Sequence, residues 1–226
     1  DDDDENNKND NRNDDENVNN NDGGGDDDDE SNEIIEDEDD YSIDELENKK
    51  SETILFYAVH TNNIEIIDFV IQNPSFDKEK SDLEASIYKS IKDGKLKIFR
   101  KLLKLLNKEV NEYNIKEKTL LCYSVYKKRL KMTKDILNHP NFDSNLSKLN
   151  DSFFINLEKL KPNSYEIMKL LYEYDKTHDN LIDLNGLSKS GETVFTSIKH
   201  KNKISKKFDK FVNIDKIVPF LIDKGS

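Results

Sequence analysis

SETILFYAVHTNNIEIIDFVIQNPSFD, residues 51–77, decides the fold. Thr53 opens a helix-length apolar run through Leu55, Ala58 and Val59. A polar break follows at Asn62 and Asn63, and a second run carries Ile64, Ile66, Ile67, Val70 and Ile71 until Pro74 ends it. The spacing predicts two short helices joined by a tight polar corner. Neither helix can bury its apolar face alone, so the unit needs copies of itself alongside.

The rest of the chain supplies those copies. Thirty-two residues on, Ala85, Ile87 and Ser90 fall on Thr53, Leu55 and Ala58, and Leu96, Ile98, Phe99, Leu102 and Leu103 repeat the second helix. Gly94 sits at the corner, where a residue tolerant of positive φ ends a helix at little cost. The third copy repeats Thr119, Leu121 and Ser124, then Leu130, Met132, Ile136 and Leu137. His139-Pro140-Asn141-Phe142-Asp143 then reproduces Asn73-Pro74-Ser75-Phe76-Asp77. A fourth copy has Phe154, Ile155 and Leu157, a corner at Lys161-Pro162-Asn163, and Tyr165, Ile167, Met168, Leu170 and Leu171. A fifth opens at Gly191-Glu192-Thr193 with Phe195 and Ile198, and carries a basic insertion from Lys199 to Lys210. It resumes at Ile214, Ile217, Val218, Phe220, Leu221 and Ile222, with Pro219 predicting a late start or a kink.

A period of about 33 residues with two helices per unit resembles the ankyrin repeat. Thr53, Ala58 and Ile64 keep that family's spacing, and Asp183-Leu184-Asn185 through Gly191-Glu192-Thr193 resembles its hairpin. The opening Thr53-Ile54-Leu55-Phe56 departs from the family's Thr-Pro-Leu-His. Tetratricopeptide helices share a similar period but expect a Trp/Gly/Tyr pattern, and this chain has no Trp. The expected fold is all-α: an ankyrin-repeat solenoid of about five degenerate helix-turn-helix repeats, near 51–82, 83–116, 117–151, 152–190 and 191–226. The apolar rows Ile66/Ile98/Met132/Ile167 and Val70/Leu102/Ile136/Leu171 are its expected core.

Residues 1–50 carry 24 Asp+Glu against 4 Lys+Arg, while residues 51–226 carry 24 against 31, so a net of −20 precedes a net of +7. The first segment is low-complexity Asp/Asn, with too little apolar content to offset the entropy of ordering it. It reads as a disordered acidic arm: an interaction tail, a shield over the basic body, or a neutral spacer. Its late apolar residues, Ile34, Ile35, Tyr41, Ile43 and Leu46, suit a short capping helix. Asp1 is no initiator Met, and the chain reads as a piece of a longer protein. No run reaches the ~18–20 apolar residues that a membrane span needs. A single cysteine, Cys122, allows no internal disulfide and suits a reducing compartment, cytoplasmic with the nucleus as alternative.

No catalytic constellation emerges. The four histidines, His60, His139, His178 and His200, fall in different repeats without metal-ligand spacing. Leu181 to Glu192 carries Asp183, Asn185, Gly186 and Glu192 at calcium-loop offsets, but Leu181 replaces the required first carboxylate. No enzyme activity, cofactor, metal or small-molecule substrate is expected. The ankyrin resemblance implies a protein-binding scaffold whose partners meet loop tips and the exposed ends of the first helices. Those ends are His60-Thr61, Lys92-Asp93, Tyr126-Lys127-Lys128 and Lys199-His200, with tips near Asp77–Ser81, Tyr113–Lys118, Ser144–Lys148 and Leu187–Ser190. The candidate partner-binding residues are His60, Thr61, Lys92, Tyr126, Lys127, Lys128 and Lys199. Their charge suits an acidic or phosphorylated protein. Two alternatives stand beside this reading: nucleic-acid binding by the basic face, which wants its charges clustered in a stripe, and regulation of an enzyme or channel domain outside the chain.

Overall fold

The computed structural model describes residues 53–158, 160–188, 191–198 and 214–225. All of them belong to one compact unit, Glu38–Ser226. The acidic arm, its apolar residues from Ile34 to Leu46, and the basic insertion with Lys199 and His200 lie outside the described residues.

The described chain is mostly helical. α1 (Ile54–His60) and α2 (Ile64–Gln72) form the first pair, followed by α3 (Leu83–Lys92) and α4 (Leu96–Leu103). A short α5 (Glu109–Glu112) leads into the hairpin strands β1 (Asn114–Ile115) and β2 (Lys118–Thr119). The pairs α6 (Leu120–Tyr126) with α7 (Leu130–Leu137), and α8 (Leu149–Glu158) with α9 (Ser164–Thr177), come next. Residues 194–198 are helical, and α10 spans Ile214–Gly225. In one layer α1 packs on α3, α3 on α6 and α6 on α8; in the other α4 packs on α7 and α7 on α9.

The first three pairs turn by the same backbone device. The residue after the corner donates its N–H five places back: Asn63 to the Ala58 carbonyl at 2.8 Å, Lys95 to Ser90 and Arg129 to Ser124, both at 2.9 Å. The residue before it is left-handed in every case, with φ of 58° at Asn62, 72° at Gly94 and 57° at Lys128. This is the helix-ending geometry that satisfies terminal carbonyls. The small residues beneath it, Ala58, Ser90 and Ser124, are fully buried, so neighbouring first helices approach closely. In the fourth pair Asn156 takes the small-residue position and is also fully buried.

The side chains that start α4, α7 and α9 then reach back one unit. Lys95 Nζ donates to the Val59 and His60 carbonyls, both at 3.0 Å. Arg129 donates from Nε to the Ile91 carbonyl at 3.1 Å and from Nη2 to the Lys92 carbonyl at 2.6 Å. Asn163 Nδ2 reaches the Lys128 carbonyl at 3.4 Å. A cation on the last carbonyls of a helix also meets the negative end of its dipole.

The connectors alternate in kind. Thr53 and Thr119 cap α1 and α6 by accepting the N–H groups of Phe56 and Cys122, each at 3.2 Å. Each also donates its hydroxyl into the next connector, Thr53 to the Ser81 carbonyl at 2.9 Å and Thr119 to Ser147 at 2.8 Å. Those connectors are the two Pro-x-Phe-Asp turns, where Asp77 accepts from Glu79 and Lys80, and Asp143 from Leu146. The connectors before Thr119 and Thr193 are hairpins instead, Asn114 pairing with Thr119 and Leu187 bridging Thr193. Ser144 and Ser147 are therefore buried rather than sitting at an exposed tip.

Two further expectations change. Unit two has no capping threonine, and α3 begins at Leu83, two residues before Ala85. Its connector delivers the chain through a left-handed Asp82 rather than an extended threonine. α10 runs through Pro219 from a start five residues earlier, so the proline does not delay it. The expected core rows are buried at Ile98, Met132, Ile167, Leu102, Ile136 and Leu171, and half-buried at Ile66 and Val70 in the first pair.

Arg129 and Arg100 make a controlled pair for testing this frame. Arg129→Met removes a donor from each of two helix-end carbonyls, that of Ile91 keeping the Gly94 N–H, and should cost about 1–3 kcal/mol. Arg100 pairs with Asp135 at 2.7 Å on an exposed surface. Arg100→Met should cost under about 1 kcal/mol. Urea denaturation of both variants measures the difference.

Candidate partner-binding face

The last residues of the first helices line up from unit to unit as His60, Lys92, Tyr126 and Glu158. His60 and Thr61 are exposed, and the Thr61 hydroxyl donates back to the Tyr57 carbonyl at 2.9 Å. Beside them Tyr57 is 52% exposed. Lys92, Tyr126 and Lys127 are half-buried. Glu158 ends the basic run with a negative charge that the sequence reading did not weigh.

Lys128 does not belong to this face. It is 6% exposed, and its Nζ donates to both the carbonyl and the side-chain Oδ1 of Asn156 at 2.8 Å. The next unit explains why. Lys128 occupies the left-handed corner position where Asn62 is exposed in the first unit, but here Asn156 of the next unit accepts from its Nζ twice and holds it inside. Asn156, buried where other units carry Ala or Ser, needs a polar partner there. Asn156 Nδ2 donates onward to the Ser164 carbonyl at 2.7 Å, so the amide is used at both ends.

Tyr126 is the centre of the basic cluster. Lys118 Nζ lies 5.1 Å and Lys127 Nζ 5.4 Å from its ring centroid. Lys127 also stands 5.7 Å from the Tyr123 ring, which meets Tyr126 at 6.4 Å and Tyr88 edge-on at 5.1 Å. Such distances fall within cation–π range. Lys118 comes from β2 and Lys127 from the end of α6, so two elements must be held in register. Tyr88 does this: fully buried, its hydroxyl lies 2.8 Å from the Lys118 carbonyl and 3.0 Å from that of Tyr113. Burial pushes the Tyr88 phenol well above its ordinary value, so it stays a donor. Burial likewise pushes Tyr113 up to about 12, with the carboxylates of Glu109 and Glu84 adding to the effect. Lys148 Nζ ties the hairpin turn at the Glu117 carbonyl, 3.3 Å away.

The chemistry of the remaining candidates is structural. Cys122 is buried with Sγ 3.1 Å from the Ser152 hydroxyl. Asp183 Oδ1 accepts the N–H of Asn185 at 2.9 Å, and Glu192 Oε2 accepts the Ser197 hydroxyl at 3.0 Å, so both carboxylates hold their own loop. Among the described residues no three His, Cys, Asp or Glu side chains converge as metal ligands would. Among them, too, no helix is long and apolar enough to cross a membrane. The chain matches no protein-family model, and no curated protein matches it.

Neighbouring lysines should behave in opposite ways. Lys128→Met should cost about 1–3 kcal/mol by stranding the Asn156 side chain. Lys127→Met should cost under about 1 kcal/mol, the scale of an exposed cation–π contact. Thermal denaturation of the two variants distinguishes them.

A pH prediction comes from the connector between the third and fourth pairs. Burial lowers His139 below its ordinary 6.5, against the raising effect of the nearby Leu106 and Leu103 carbonyls. The folded protein thus binds this proton less readily than the unfolded chain. Its stabilisation is complete above about pH 6.5 and declines as pH falls through the window just below. Denaturation midpoints should fall between pH 7 and pH 5.5, and His139→Asn should flatten that step.

Proposed function

We propose that residues 51–226 form a degenerate ankyrin-repeat solenoid of about five repeats, acting as a non-enzymatic scaffold for protein partners. Its partners meet the ends of the first helices and the hairpin tips. The observation that carries this reading is the row of His60, Lys92 and Tyr126. These side chains sit at one repeated position in successive helix pairs, and Lys118 of β2 meets the Tyr126 ring. A repeated position outside the core offers a partner several contacts at regular intervals. The repeated layering of first and second helices supports the solenoid. So does the double use of Thr53 and Thr119 as helix caps and links to the next unit. Tyr126 supplies a rigid aromatic contact of the sort that dominates interfaces, and the lysines around it favour an acidic or phosphorylated protein.

The test is site-specific photocrosslinking in the full chain. A benzophenone residue replacing Thr61 or Tyr126 should yield defined protein adducts. The same residue replacing Lys134, exposed on the second helix α7, should not. Adducts with nucleic acid would move the basic-face alternative ahead, and equal adducts from both layers would overturn the assignment of the face.

A further inference from the structure

We propose that residues 41–50 cover the open end of the first helix pair, laying Tyr41, Ile43 and Leu46 against Ile54, Tyr57, Ile66 and Val70. That cover adds to the partner-binding reading and does not rest on it. On α1, Ile54 is 69% and Tyr57 52% exposed. Their counterparts are Ser86 and Lys89 in the second pair, Leu120 and Tyr123 in the third, and Ser152 and Ile155 in the fourth. All of these are buried except Ile155, which is half-buried. On the second helices, Ile66 and Val70 are half-buried where Ile98 and Leu102, then Met132 and Ile136, are buried.

The later units show what does the covering. The Tyr123 ring meets Tyr88 of the preceding unit edge-on at 5.1 Å. Ser152 Oγ lies 3.1 Å from Cys122 Sγ, again one unit back. These positions therefore face the preceding unit. Among the described residues only Thr53 precedes α1, so the surface that later pairs spend on a neighbour lies open in the first.

The chain holds an occupant within reach. Leu46 stands seven residues before Thr53, a tether of up to about 23 Å at 3.3 Å per residue. Ser42 and Glu45 have the spacing of a capping box, and Tyr41 and Leu46 that of the hydrophobic staple that goes with it. Ile43 and Leu46, three apart, then share one helix face. Asp44, Glu45 and Asn48 fall opposite, giving the polar outer side that a terminal unit needs. Ahead of Ile34 the chain has one apolar residue, Val18, so no earlier stretch can serve.

The chain has no Trp, so a single tryptophan reports cover through its emission and through acrylamide quenching of the full chain. Tyr57→Trp should emit to the blue of Phe69→Trp and be quenched severalfold less. Phe69 is 72% exposed on α2, and its counterparts Lys101 and Asp135 are polar. Adding Ile43→Asp with Leu46→Asp should abolish the protection, and adding Ile34→Asp with Ile35→Asp should not. Leu46→Trp reads the contact from the other side: it should be shielded alike and released by Tyr57→Glu. That reading decides if the chain with Asp at 43 and 46 loses its helical circular-dichroism signal. Equal quenching at positions 57 and 69, protection that survives the changes at 43 and 46, or protection lost to those at 34 and 35 would overturn the proposal. So would protection that appears only as protein concentration rises, which assigns the face to a second copy.

Discussion

The interaction on which the rest depends is the reach of one side chain from the start of α4 and of α7 to the last carbonyls of the preceding first helix. A short helix of seven to ten residues, such as α1 or α3, exposes a large share of its carbonyls at its end. Lys95 and Arg129 answer that need from the neighbouring unit, adding to the corner N–H groups of Asn62 and Gly94, while Asn163 reaches the corner carbonyl of Lys128. The bond that completes one unit is thus the bond that fixes the next unit's position. Apolar contact alone would let the layers slide, since it is roughly non-directional. The carbonyl contacts remove that freedom and keep the ends of the first helices in line.

The same line makes the candidate face. His60, Lys92 and Tyr126 recur together because the Ala58, Ser90 and Ser124 corners are equivalent. The hairpin that brings Lys118 to Tyr126 is itself tied to the second unit by Tyr88. Removing the Tyr88 hydroxyl would disturb a surface it never touches, through the backbone of β2.

Much of the helical frame is legible from apolar spacing. The 3.6-residue pattern places the helices, Gly94 marks a left-handed corner, and the two Pro-x-Phe-Asp stretches mark equivalent turns. What remains hidden depends on neighbours. Lys127 and Lys128 are adjacent and identical in composition, yet one stands over aromatic rings and the other is buried on Asn156. The spacing of Asn62, Gly94 and Lys128 marks the corner but not the burial, since Asn62 is exposed there and only Asn156 of the next unit draws Lys128 inside. Lys118 reads from sequence as the end of a loop tip, and what stays hidden is its contact with Tyr126. It precedes a capping threonine in sequence, and only the hairpin brings it to the far end of α6.

Alternation of the connectors has a consequence for recognition. Hairpins precede the units that open at Thr119 and Thr193, and helical turns precede the units of α3 and α8. In the second of those turns Ser144 and Ser147 are buried, while Asn145 and Leu146 stay exposed. The effective repeat is therefore a pair of units, with Thr119 lying 66 residues after Thr53. A partner that contacts hairpins meets one at every second unit, while a partner that contacts helix ends meets one at each. The two spacings differ by a factor of two. A ligand that uses both must be long enough to span a full pair, which favours an extended segment over a compact side-on contact.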